Sequence, residues 1–141
     1  MIERNIMGLN VRLKWTEGLQ FTARAGKGPA ILTDSSDGAS RPSPMELVLM
    51  GLAGCTAIDV VLILQKKRLD LKNFEVIVGA EQAEEYPRRF TKINIEYILY
   101  GNNIKEKAVE QAIMLSETKY CSAMASMNAR FEHNYRIVGD F

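Results

Sequence analysis

Two cysteines carry most of the chemistry open to this sequence. Cys55 lies in the apolar stretch from Met45 to Leu64, within the small-residue run Gly51-Leu52-Ala53-Gly54-Cys55-Thr56-Ala57, where neighbouring backbone can approach the sulfur closely. Cys121 lies in a second helix-like segment near the C-terminus. A cysteine attacks as its thiolate, and with an ordinary pKa near 8.5 only about 3% is ionised at pH 7. A reactive thiol here therefore needs a neighbour that favours the anion. Cys121 falls in the expected first turn of a short helix, where unpaired amides do so. Cys55 falls mid-helix and needs a cation from elsewhere; Arg41, just upstream of the helix, and Arg24, in the second expected strand, are the nearest in sequence. Against this stands a plainer reading, since free cysteines often act as small buried hydrophobes.

Three acid-base residues qualify the thiol chemistry. Glu46 precedes Cys55 by nine positions, and nine steps of about 100° put it on the opposite helix face. It serves either as a cap or, if it orients an arginine near a thiol, in a site built from two subunits. Asp59 shares the face of Cys55, and a carboxylate there raises a thiol pKa unless it is paired elsewhere. His133, the single histidine, alternates with Phe131 and Tyr135 on a strand and reads as structural. Two cysteines and one histidine lack the number and spacing of a zinc site.

The elements that must position these residues follow from periodicity. Leu9, Val11, Leu13 and Trp15 alternate with polar residues as in a half-buried strand, and Glu17-Gly18 turns the chain into strands through Leu19 to Ala25 and Ala30 to Thr33. A polar loop, Asp34 to Ser40, leads to Ser43-Pro44-Met45-Glu46, a capping box with proline at the first helical position. The helix then runs apolar nearly all round to Gln65, so burial on most sides is expected, beyond what so small a chain supplies alone; a homodimer is the natural completion. Phe74, Val76 and Val78, then Ile93, Ile95, Tyr97 and Leu99, predict an antiparallel hairpin about the Glu84-Glu85-Tyr86-Pro87 turn. Asn103 and Glu106 open a helix with an apolar stripe over Ala108, Val109, Ala112, Ile113 and Leu115. Lys119 to Met124 breaks and restarts it, and Phe131 to Ile137 forms the last strand.

The order βββ-α-ββ-α(α)-β is that of an α+β fold, with antiparallel sheets around a long buried central helix in one domain over residues 1–141. Eighteen basic and seventeen acidic residues without long charge runs make nucleic acid and acidic membranes poor partners. The uncharged run Leu47 to Ile58 is twelve residues, against about 20 needed to span a bilayer. No signal-peptide pattern opens the chain, so a reducing cytoplasm is expected, where lasting structural disulfides are uncommon.

Ser43-Pro44-Met45-Glu46-Leu47 leading through Ala53-Gly54-Cys55 into a long apolar helix, with Tyr120-Cys121-Ser122 after a second helix, resembles the OsmC/Ohr family of thiol-dependent peroxidases. The helix Cys55-Thr56-Ala57-Ile58-Asp59-Val60-Val61 is most similar to its YhfA-like branch. The resemblance implies an intertwined homodimer with sites at the subunit interface, Cys55 as peroxidatic cysteine and Cys121 as resolving cysteine. It implies that Glu46 holds an arginine, Arg41 or alternatively Arg24, against the thiolate. The implied substrates are small organic hydroperoxides, favoured by an apolar lining from Leu49, Leu52, Ile58 and Leu62. The implied reductant is a dithiol or lipoyl-type compound, and no metal, haem or flavin is called for. Ser122, where other branches often carry proline, and Asp59 are departures. The rival reading is a non-enzymatic dimer that binds an apolar ligand, its thiols merely packed.

Overall fold

The computed structural model describes residues 8–35 and 41–139, so most of the polar loop before the central helix lies outside the described residues. The chain forms two compact units, residues 1–48 and 49–141. In the first, β1 (Val11–Glu17), β2 (Gln20–Ala25) and β3 (Ile31–Thr33) make an antiparallel sheet in the order β1-β2-β3. The β1-β2 turn is fixed by Gly18 at φ +55°, a conformation that favours glycine, whose carbonyl accepts from Trp15 Nε1 at 2.8 Å. The alternation in β1 predicts one covered face. Instead Val11, Leu13 and Trp15 are all exposed, Trp15 at 64%, since no described residue of this unit covers them.

The central helix, α1, spans Pro44–Lys66. Its start is the predicted capping box: the Glu46 amide donates to Ser43 Oγ at 3.2 Å and the Ser43 amide donates to Glu46 Oε1 at 2.8 Å. Its end is a left-handed residue, Arg68 at φ +61°, with the Leu69 amide closing back on the Leu64 carbonyl at 3.1 Å. Leu69 then packs against the core, which helps hold a non-glycine residue in that conformation.

In the second unit, β4 (Leu71–Gln82) and β5 (Phe90–Gly101) form the predicted antiparallel hairpin. The third strand, β6 (Arg130–Val138), departs from the expected all-antiparallel sheet by pairing parallel to β5, giving the order β4-β5-β6. The reason is the connection: α2 (Glu106–Leu115), a π-type turn (Ser116–Tyr120) and the short α3 (Ser122–Ala125) lie between them, the long crossover that a parallel pair requires. On one face of the sheet Ile93, Ile95, Tyr97 and Leu99 of β5 are completely buried. They form one core with Val109, Ala112 and Ile113 of α2 and with Leu52, Val60 and Leu64 of α1.

Within the chain, α1 is not buried on most sides. Leu52, Thr56, Val60 and Leu64, spaced one turn apart, make a single inaccessible stripe, while Met50, Ile58 and Leu62 are exposed. The helix is long and apolar enough to cross a membrane. Its buried stripe belongs to the core just described, and Asp59 is hydrogen-bonded to Ser116, so it is a core helix.

Candidate active site: a thiol pair beside a buried polar chain

Cys55 is partly buried on α1 and packs against the core of the second unit; Cys121, at 4% exposure, belongs to that core. Both are free thiols. The α2 crossover brings them near enough that Cys55 influences the Cys121 thiol. Cys121 stands just before α3, rather than within its first turn as the sequence predicts. Its Sγ accepts from the Met124 amide at 3.4 Å, and its own amide donates to the Ser116 carbonyl at 2.7 Å. Burial pushes the Cys121 thiol up to about 11 and Cys55 adds to the rise, while the Met124 amide opposes it. Cys121 is therefore a protonated thiol at neutral pH.

The remaining candidates lie in the first unit. Glu46 is engaged in the capping box. Arg24 donates to the Gly28 carbonyl at 3.1 Å, a contact within its own hairpin turn. Arg41 makes no ion pair among the described residues. Neither arginine is joined to Glu46 there.

Asp59 Oδ2 accepts from Ser116 Oγ at 2.8 Å. Ser116 Oγ lies 2.7 Å from Thr56 Oγ1, which lies 2.9 Å from the Tyr97 hydroxyl. Tyr97 donates to Glu117 Oε2 at 2.7 Å, and Glu117 Oε1 lies 2.9 Å from Nδ1 of His133. Thr56, Tyr97 and Ser116 are completely buried, and burial together with Glu117 raises the Tyr97 phenol above its ordinary value. Sequence reasoning missed this chain apart from its ends. The available signal was Thr56, a hydroxyl on the helix face of Leu52 and Val60, and Tyr97, a phenol among the isoleucines of β5.

Beside α1 a cavity of about 510 Å³ opens, walled by Asp59, Leu62, Ile63, Lys66, Leu115 and Tyr120 among others. Of the four apolar residues expected at a substrate site, Leu62 lines this cavity. Leu52 and Leu49 pack in the core, and Ile58 is 62% exposed.

A family model described as "OsmC-like protein" matches residues 36–136, a span that holds α1, both cysteines and nearly all of β6. The chain belongs to the OsmC-like family. Protein YhfA of Escherichia coli strain K12 is 46% identical over 132 residues, covering 92% of this chain and 98% of its own length. The crystal structure of an OsmC-like protein from Mycoplasma pneumoniae shares the fold with a TM-score of 0.80 at 16% identity, over 93% of this chain and 97% of its own. An organic hydroperoxide resistance protein from Elizabethkingia anophelis shares it with a TM-score of 0.68 at 10% identity, over 98% and 100% of the two chains. The OsmC-like fold is thus common to this chain and to proteins named for hydroperoxide resistance.

Proposed function

We propose that this OsmC-like protein is a cytoplasmic thiol peroxidase that reduces small organic hydroperoxides. The observation that carries the reading is the proximity of two free thiols of unlike exposure, Cys55 partly open and Cys121 buried, protonated and influenced by Cys55. The Cys55 thiolate attacks the distal peroxide oxygen, the O–O bond breaks, and the alkoxide takes a proton to leave as an alcohol, with Cys55 oxidised to the sulfenic acid. Cys121 then attacks that sulfur. An S–S bond forms, the S–O bond breaks, and the hydroxyl leaves with the Cys121 proton as water. An external dithiol of lipoyl type is oxidised in turn and restores both thiols.

The working unit of this proposal is a homodimer, supported by the apolar side chains that one chain leaves exposed, Val11, Leu13, Trp15, Met50 and Ile58 among them. By the family resemblance Arg41, or alternatively Arg24, held by Glu46, supplies the cation beside Cys55. Incubated with an alkyl hydroperoxide and a dithiol, the wild type should consume peroxide catalytically, Cys55→Ser should not, and Cys121→Ser should react once and stall. Equal, dithiol-limited rates for wild type and Cys55→Ser would end the peroxidase reading.

The cavity beside Asp59 favours one second reading. Its walls of Leu62, Ile63, Leu115 and Tyr120 suit an apolar ligand, and in that case the thiols are packing residues.

A further inference from the structure

The polar chain beside the thiols can be counted proton by proton. Asp59, Ser116, Thr56, Tyr97 and Glu117 are joined by four oxygen-to-oxygen contacts of 2.8, 2.7, 2.9 and 2.7 Å. Each needs a hydrogen, because two oxygens this close without one set lone pair against lone pair in a site that excludes water. Three hydroxyls supply three protons. If both carboxyl groups are ionised, Ser116 donates to Asp59 and Tyr97 donates to Glu117, which leaves Thr56 one proton for two contacts. All four are satisfied only when one carboxyl group carries a proton. The chain is symmetric in this respect: the proton can sit on Asp59, with every hydroxyl donating toward Glu117, or on Glu117, with every hydroxyl donating toward Asp59.

We infer that Asp59 and Glu117 share one proton through Ser116, Thr56 and Tyr97, and that this chain is a proton relay between the thiol pair and the surface at His133. Reversal of the chain moves one proton over its whole length by four short O–H transfers, with no net change within it and no electron moved. Its two ends differ in access. Asp59 lines the cavity and stands one helical turn beyond Cys55. Glu117 is 12% exposed and meets His133, which is 42% exposed on the edge strand β6. The relay thus suits the resolving step. As Cys121 attacks, the chain delivers a proton from the His133 end to Asp59 for the hydroxide that leaves Cys55 as water, and the proton that Cys121 gives up passes to solvent, so that the protons balance.

The use of the relay in disulfide formation rests on the peroxidase reading, whereas the shared proton does not, and two measurements separate them. Infrared spectra at pH 7 should show a carboxylic-acid carbonyl band that shifts in D2O. Thr56→Val should abolish it, because cutting the chain leaves each carboxylate a hydroxyl donor and no need of a proton. Asp59→Asn/Glu117→Gln should abolish it too, since an amide presents a donor at one end and an acceptor at the other without titrating. Ser116→Ala cuts the chain elsewhere and replaces Thr56→Val if that variant does not fold. A wild type without the band, or a band that survives either chain-cutting variant, overturns the shared proton. In a single turnover with alkyl hydroperoxide, Thr56→Val should form sulfenic acid normally and slow disulfide formation on the order of tenfold or more. An unchanged disulfide rate overturns the relay. A wild type that never forms sulfenic acid refutes the peroxidase reading and with it the relay's role, while the infrared result still decides the shared proton.

Discussion

Cys55 is near enough to the buried Cys121 to act on its thiol, whose pKa is raised to about 11, first by burial and then by that neighbour. The consequence is that Cys121 is a protonated thiol at neutral pH. This is the protonation state a resolving cysteine needs at rest, since it cannot compete for peroxide.

Alkylation and unfolding should both report this pKa. Because the folded form holds the proton more tightly than the unfolded chain, the stabilisation is fully present below the ordinary thiol pKa and is lost as pH rises through about 11. Alkylation of Cys121 in Cys55→Ala should show a lower apparent pKa than in the wild type, yet one still above the ordinary value, because burial remains. A Cys121 profile with the ordinary thiol pKa in the wild type would refute the assignment.

Glu46 has two separable roles. Ser43→Ala should cost about 0.5–2 kcal/mol of stability by removing the side-chain acceptor of the Glu46 amide. Glu46→Gln keeps an acceptor for the Ser43 amide, so its melting temperature should change little. If Glu46 also holds an arginine at the thiol, this variant slows Cys55 oxidation by peroxide. Unchanged oxidation would confine Glu46 to capping.

Removing the Tyr97 hydroxyl strands two partners. Tyr97→Phe leaves Glu117 Oε2 without its donor and Thr56 with one contact, the latter inside a core where water does not replace it. Urea denaturation should show a loss of about 1–3 kcal/mol. Leu64→Ala, which removes apolar volume from the same core, should cost about 2–5 kcal/mol.

The exposed apolar side chains predict the assembly. Light scattering should give twice the chain mass at micromolar concentration, and Ile58→Glu, a charge placed on an exposed position of α1, should shift the protein toward monomer. A monomeric wild type would refute the homodimer.

The sequence by itself determined what local physics controls. The capping box placed the start of α1 at Pro44, and the alternation in β5 marked Ile93, Ile95, Tyr97 and Leu99 as one face, because hydrogen-bond chemistry at a helix end and side-chain period along a strand are set by neighbours in the chain. It also marked Cys55 and Cys121 as the residues with chemistry to offer. The direction of β6 was not legible, because β6 alternates in the same way whether it runs parallel or antiparallel to β5; the α2 crossover decides it. Nor was the polar chain. Thr56, Tyr97, Ser116 and Glu117 come from α1, β5 and the π-type turn, and each looks ordinary alone. Only packing those elements on one core puts their oxygens within 3 Å of one another, where burial forces every proton to be accounted for.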